Sequence, residues 1–471
     1  MNFSTQIKIE FFDWIKNSTS HGLPQVFNRD KPLIIRLVWL ALFVASSVLC
    51  FISIIQSIQV FYEYEALIKI EIEKDISVQY PTISFCNLNQ YQTSFAIDFV
   101  KSIISNENIS FGNETDSLNK IEFLTKSNLV NTTNEFKNSM SYSIETMIIS
   151  CLFAALPCSK NDFEWFYSNE YGNCYRYNFD ERKKRTQTRS GKFYGLRLEL
   201  YVGESESIYS LSTHSGVHVF ITNNSNEHLS NGFDVSSGVS TDLSISRLSF
   251  NRLAQPFSNC FLSNNENLEF SEFSKKTLEI YKDYNKEACV DLCFQNYLEE
   301  KCKCFAINYH SFNLNIPCST LAKLECINNN TLEFFDNFNN IKNCEDKCPF
   351  KCEQLDFNYL VSFSDYPSQV YADSLLRQKY IQEKFINKTD NLNYEKIKSS
   401  ILSLNIYYSS FDLFKITEVE SISLIDLISS IGGTLGLYIG ISILSFFEIL
   451  EFIFKFFVLI INHKNSIHTK N

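Results

Sequence analysis

The stretch LISSIGGTLGLYIGISILSFF, Leu427–Phe447, decides how this chain is read. It is uncharged and long enough to cross a bilayer, for which about 20 apolar residues suffice. Yet it carries four glycines, Gly432, Gly433, Gly436 and Gly440, which a plain anchor has no use for. Gly432, Gly436 and Gly440 recur at i, i+4 and i+8 and leave one helical face bare, so that neighbouring helices or ions can approach the backbone. Acids flank the run, Asp426 before it and Glu448 and Glu451 after it, and boundary acids are costly unless they face water or a partner. A glycine-rich packing face in a dimerising anchor accounts for part of this pattern. A pore accounts for the glycines and the acids together.

Leu37–Ile55, LVWLALFVASSVLCFISII, is a second uncharged run of spanning length. About three dozen residues precede it and no convincing small-residue cleavage site follows, so a retained span is expected rather than a cleaved signal peptide. Arg29, Lys31 and Arg36 lie before it, and Lys455, Lys464 and Lys470 follow the glycine-bearing run. The positive-inside bias then places both termini in the cytoplasm. The expected organisation is a cytoplasmic segment 1–36, a first transmembrane helix 37–56, an extracellular region 57–425, a second transmembrane helix 426–450 and a cytoplasmic tail 451–471.

Cysteine usage agrees with that layout. Of 15 cysteines only Cys50 lies in a span, and the other 14 fall between Cys86 and Cys352. An even number confined to one side reads as a disulfide framework in an oxidising compartment. Six N-x-S/T sequons, at Asn108, Asn113, Asn131, Asn223, Asn329 and Asn387, fall in the same region and mark candidate glycosylation sites. Asn2 and Asn17 match the pattern on the cytoplasmic side, so the sequons weigh little by themselves. The chain has a net charge of −11, and residues 37–425 hold 34 basic against 47 acidic side chains. An acidic exterior favours cations near the surface and disfavours nucleic acid as a partner, although ordinary solubility explains it equally well.

Between the spans, alternating apolar segments predict strands: Gly195–Val202, Gly216–Ile221, Asp242–Phe250 and Leu402–Phe411. Helical periodicity runs around Ser271–Tyr297 and Ser368–Phe385. Strands with helices grouped around them indicate an α+β class. Cys289 and Cys293 are four apart, as are Cys344, Cys348 and Cys352, and that spacing puts side chains on one face. If the two sets run antiparallel, nested bridges Cys289 to Cys348 and Cys293 to Cys344 would form a ladder; spacing alone leaves the connectivity open. Tetrahedral zinc would need reduced thiolates, which an extracellular setting disfavours, so neither metal nor cofactor is expected. No H-E-x-x-H, G-x-S-x-G or P-loop pattern suggests an enzyme.

Several motifs in order resemble the degenerin, epithelial sodium channel and acid-sensing channel superfamily, from about Ser20 to Phe452. They are His21-Gly22, YPTISFCNLNQY (Tyr80–Tyr91), YGNCYRYN (Tyr171–Asn178), the C-x3-C and C-x-C cysteines, CPFKC (Cys348–Cys352), NIYY (Asn405–Tyr408) and IGGTLGLYIGIS (Ile431–Ser442). The resemblance implies an α+β membrane protein in which two transmembrane helices flank a large disulfide-rich ectodomain with palm, knuckle, β-ball, finger and thumb. It implies a trimeric channel, homomeric or heteromeric, passing sodium and blocked by amiloride at the plasma membrane. It also implies the bridges Cys86–Cys174, Cys151–Cys158, Cys260–Cys352, Cys289–Cys348, Cys293–Cys344, Cys302–Cys326 and Cys304–Cys318, which use all 14 cysteines between the spans.

In that resemblance Gly440, Ile441 and Ser442 stand as the Gly-x-Ser selectivity filter, where an interrupted helix frees carbonyls that could replace part of a cation's hydration shell. Ile441 departs from the small residue usual at the middle position, which bears on selection of sodium over potassium. Ser429, Gly432, Gly433, Gly436 and Glu448 would line the pore or its gate, and small size at Ser429 would let three helices meet when the gate shuts. His21 and Gly22 match a pre-span motif that supports the filter. Tyr64 and Phe257 match a wrist contact, with Phe257 where a Trp is usual. Acid-sensing members carry a His pair just after the wrist Tyr, whereas Glu65 and Ala66 stand here. An extracellular ligand such as a short neuropeptide is therefore expected ahead of protons, with constitutive or mechanical opening as further alternatives. Arg182–Arg185, RKKR, has the look of a basic protease site and also of an ordinary solvated loop. An ATP-gated channel has a different cysteine order and lacks a Gly-x-Ser filter, and a cysteine-rich receptor that does not conduct leaves the glycines unexplained.

Overall fold

Apolar runs near both ends and alternating runs between them set the architecture. The computed structural model describes residues 3–107, 109, 115–203, 211–229, 232–262, 270–385 and 393–468. Asn108, Asn113 and Asn387 lie outside the described residues. The chain forms two units, one of residues 1–67 with 418–471 and one of residues 68–417.

In the first unit Leu33–Tyr62 is a single helix of 30 residues, about 45 Å long at 1.5 Å per residue. It starts before Leu37 because Pro32 sits at its N-cap. It outlasts Ile55 because no breaker intervenes until Tyr64 turns left-handed with φ 51°. Among the described residues it is the one helix both long and apolar enough to span a bilayer. The glycine-bearing run does not form one helix. It divides into Leu424–Ile439 and Ile443–His468.

The second unit is α+β, as its patterning predicts. A seven-stranded sheet has Val239–Asn251 between Glu353–Asp365 and Ile401–Glu420, followed by Leu196–Tyr201, Ile148–Phe153 and Leu156–Pro157, with Ala66–Lys74 also paired to Ile401–Glu420. Val239–Asn251 runs antiparallel to the first neighbour and parallel to the second, with a register shift between Ile245 and Arg247. A five-stranded sheet runs Gly232–Ser236, Gly216–Thr222, Thr82–Asn87, Gly172–Tyr177, Phe163–Ser168. Alternation does the work: Leu196, Leu198 and Leu200 are buried while Arg197 and Glu199 between them are half-buried. Leu198, Leu243, Ile245, Leu404 and Ile406 of one sheet share a core with Phe85, Val217 and Val219 of the other.

Helices build a second core around Cys289, Leu292, Cys293, Phe294 and Leu298. The helical run expected around Ser271–Tyr297 is two helices, Glu272–Tyr281 and Lys286–Cys302. Lys282 takes a left-handed turn at φ 59°, and the Asn285 side chain then caps the second helix by accepting from Ala288 N at 2.9 Å. The run around Ser368–Phe385 likewise divides into Gln369–Leu376 and Lys379–Phe385.

Seven disulfides join Cys86 to Cys174, Cys151 to Cys158, Cys260 to Cys352, Cys289 to Cys348, Cys293 to Cys344, Cys302 to Cys326 and Cys304 to Cys318. The basic run is not uniformly solvated. Arg182 is 93% exposed, but the Lys184 side chain is 6% exposed and pairs with Glu181 at 3.0 Å. Arg185 pairs with Asp162 at 2.7 Å. Arg182, though exposed, lies 3.7 Å from Asp180, so a protease would have to pull three of the four basic side chains from their partners.

Candidate pore segment

Ser423 starts the outer half-helix with a reciprocal cap: its hydroxyl accepts from Asp426 N at 3.2 Å, and the Asp426 carboxylate accepts from Ser423 N at 3.1 Å. Asp426 is thereby explained by helix capping. One face of this half-helix packs against Leu33–Tyr62: Leu427 is buried, Ser430 Oγ lies 3.4 Å from Ser57 Oγ, and Cys50 Sγ lies 3.9 Å from the Thr434 carbonyl. Ser429, Gly432, Gly433 and Gly436 lie on the opposite, exposed face. A Cβ added to Gly432 or Gly433 would meet nothing within 4 Å, and one on Gly436 would meet only the Ile441 carbonyl, at 3.9 Å.

Gly440 ends the half-helix in the left-handed region at φ 76° and ψ 18°, a conformation that costs other L-residues energy. Its amide returns to Gly436 O at 3.1 Å and that of Ile441 to Leu435 O at 3.3 Å. Ser442 N then donates to Ser445 Oγ at 3.0 Å, which secures the start of the inner half-helix. Gly440, Ile441 and Ser442 are thus the three non-helical residues between two helices.

The N-terminal segment fills the notch. His21 N donates to the Ile439 carbonyl at 2.7 Å, and the imidazole packs so closely on Gly440 that a Cβ there would lie 1.8 Å from Nδ1. Gly22 follows at φ 90° and caps the short helix Leu23–Phe27, with Phe43 3.4 Å from where its Cβ would be. Thr19 reaches the inner half-helix: its N and Oγ1 each donate to Glu448 Oε2 at 3.2 Å, and Oγ1 lies 2.7 Å from Ser445 Oγ. Further back, Trp14 and Phe452 have ring centroids 5.1 Å apart.

A helix interrupted at membrane depth is tolerated only where its backbone is satisfied by protein or by water. In the broken segment Ile439 O is met by His21 N, and Ser442 is exposed. Among the described residues no three His, Cys, Asp or Glu side chains gather as a metal site.

The family model described as "Amiloride-sensitive sodium channel" matches residues 14–452, which runs from Trp14 beside Phe452 through the glycine break. The chain belongs to the amiloride-sensitive sodium channel family. Similar relatives in that family include the bile acid-sensitive ion channel of Mus musculus, 24% identical over 94% of this chain and 87% of its own length. Acid-sensing ion channel 1 of Gallus gallus is 24% identical over 93% of this chain and 82% of its own. Epithelial sodium channel subunit beta of Canis lupus familiaris is 24% identical over 67% of this chain and 48% of its own. A solved proton-activated chloride channel aligns over 89% of this chain at 6% identity and a TM-score of 0.33, too weak a likeness to carry weight.

Two further predicted residues of this amiloride-sensitive sodium channel chain belong to different units. Tyr64 sits just past the first helix, its ring centroid 6.3 Å from that of Phe61, and belongs to the first unit. Phe257 belongs to the second unit and closes a turn onto Ala254 O at 3.2 Å. Asn131, Asn223 and Asn329 are exposed. Sequence reasoning missed Thr19 altogether. The available signal was the spacing Ser445, Glu448, Phe452, which puts one polar and aromatic stripe on a single helical face.

Proposed function

We propose that this chain is a subunit of a trimeric, sodium-preferring cation channel of the plasma membrane, with both termini cytoplasmic and residues between the spans outside. Its opening signal would be an extracellular ligand such as a short neuropeptide, and amiloride would block it. The observation that carries this reading is the glycine-terminated break between Leu424–Ile439 and Ile443–His468, backed by the clasp from His21. Three copies would bring three Gly440–Ser442 segments together as a selectivity filter, offering backbone carbonyls and Ser442 hydroxyls to a partly dehydrated cation. The exposed face bearing Ser429, Gly432, Gly433 and Gly436 would let the helices close on one another as a gate. Expression in oocytes under voltage clamp, with a panel of short peptides, acid and amiloride, tests it. A sodium current opened by a peptide and blocked by amiloride is expected. No cation current, alone or with related subunits, would sink the channel reading.

A proton-responsive opening is a second reading, favoured by Glu227. Burial, with Asp283 and Asp356 close by, pushes its carboxyl up to about 7. An acid-evoked current abolished by Glu227→Gln would select it over the peptide.

A further inference from the structure

One hydroxyl of the N-terminal segment touches two successive turns of the inner half-helix. Thr19 Oγ1 lies 2.7 Å from Ser445 Oγ, and Ser445 Oγ accepts from Ser442 N at 3.0 Å. A chain of hydrogen bonds therefore runs from Thr19 to the last residue of the helix break. The same Thr19 supplies two donors, N and Oγ1, to one oxygen of Glu448.

The geometry has an electrostatic consequence. A free Glu side chain samples several rotamers. Two donors from one residue on Oε2 restrict Glu448 to few of them. Both donors are neutral, so they orient the carboxylate without cancelling its charge. Glu451, one turn further in, is different: Lys455 pairs with it at 2.7 Å and offsets its charge. Trp14 and Phe11 against Phe452 hold the N-terminal segment on the same helical face, so the Thr19 contact does not depend on its own hydrogen bonds alone. A carboxylate moved by a few ångströms in a water-filled mouth exerts a weaker and less selective pull on a passing cation.

We propose that Thr19 is the positioning residue for Glu448: it holds that carboxylate on the second turn below the helix break, where its charge, unpaired among the described residues, sets cation preference at the inner mouth. The inference rests on the channel reading above.

Two substitutions separate the hydroxyl from packing. Thr19→Val removes the Oγ donor at nearly constant volume, and Thr19→Ser keeps it. In oocytes expressing the full chain, with surface biotinylation to equalise counts, reversal potentials give the sodium to potassium permeability ratio and patches give unitary conductance. Thr19→Val should change the ratio about twofold to tenfold, the span of one ordinary net hydrogen bond, and Thr19→Ser should restore it. On a Glu448→Gln background Thr19→Val should add nothing. An unchanged ratio in Thr19→Val, or an equal shift with and without Glu448, overturns the proposal. A readout that needs no current is the double variant Thr19→Cys with Ser445→Cys, which should oxidise to an intrachain disulfide and lose two maleimide-PEG labels reversibly. Failure of that link overturns the proposal whatever the currents do. If the link forms while wild-type chains pass no cation current, the channel reading falls and this role of Thr19 falls with it.

Discussion

His21 and Gly440 share one space: the imidazole stands where a side chain on the glycine would be, with Nδ1 1.8 Å from the position of a Cβ, while His21 N holds the adjacent Ile439 carbonyl at 2.7 Å. Gly440→Ala should therefore damage this contact in two ways. The left-handed backbone alone costs an L-residue about 1–2 kcal/mol, and the methyl group evicts the imidazole. Current in oocytes should be lost while surface biotinylation stays near wild type, because the disulfide-rich unit is untouched. Normal current in Gly440→Ala would show the His21 contact to be incidental.

Glu299 is 3% exposed and accepts four hydrogen bonds from one loop: Ser311 Oγ at 3.1 Å and Phe312 N at 2.8 Å on Oε1, Asn313 N at 2.9 Å and Leu314 N at 3.0 Å on Oε2. Glu299→Gln puts an NH2 group against backbone donors and should cost about 2–4 kcal/mol, since hydrogen bonds to buried charges are the strong class. A lower melting temperature in detergent, with new proteolysis at residues 311–314, is the expected result.

The rungs Cys289–Cys348 and Cys293–Cys344 close loops of 59 and 51 residues, one nested in the other. Replacing Cys293 and Cys344 with Ala should cost less than removing both rungs, because the remaining bridge still closes almost the same loop. Removing both should cost about 2–5 kcal/mol. Thermal melts of the three proteins under non-reducing conditions check the order.

Glu227 predicts a pH dependence whose sign is fixed. Burial raises its pKa from 4.5 to about 7, opposed by a hydrogen bond from Asn223 N at 2.8 Å and reinforced by Asp283 and Asp356. Of these neighbours Asp283 is paired with Lys351 at 2.5 Å. The folded state then holds more protons than the unfolded chain between those two values, so this group makes stability fall as pH rises through that window. Glu227→Gln should flatten the melting temperature against pH from about 5 to 8 relative to wild type. An identical slope in both proteins would count against burial of that carboxyl.

The exposed sequons report on sidedness. Asn131→Gln, Asn223→Gln and Asn329→Gln should each remove one glycan and lower the apparent mass of the protein from cells, whereas Asn17→Gln should not. A mass shift for Asn17→Gln would reverse the orientation argued from the basic residues.

Much of the fold was legible. The strands were readable because one face of each sheet is buried and alternation survives, as at Leu196–Tyr201. Helix ends were less so. Nothing in the periodicity between Ser271 and Tyr297 announces a break; Lys282 turns left-handed, and Asn285 caps a new helix whose Cys289 and Cys293 are bridged to Cys348 and Cys344. Of the candidate site, the glycines were visible one by one, and the reason for each came only with its neighbours.

By itself the chain order of residues determined the classes of element, the two apolar runs, the confinement of 14 cysteines between them and the weak point at Gly440–Ser442. Those are local properties, set by hydrophobic period, chirality and the missing Cβ of glycine. Tertiary structure alone decided that Thr19 meets Glu448, and it supplied the geometry by which His21, matched by resemblance to a filter-supporting motif, fills the notch at Gly440; both contacts join residues more than four hundred positions apart. No local propensity encodes such a pairing. It exists because the interrupted helix leaves a carbonyl at Ile439 and a face at Ser445, Glu448 and Phe452 that buried backbone and polar groups must satisfy, and the N-terminal segment is the part of the chain that does so.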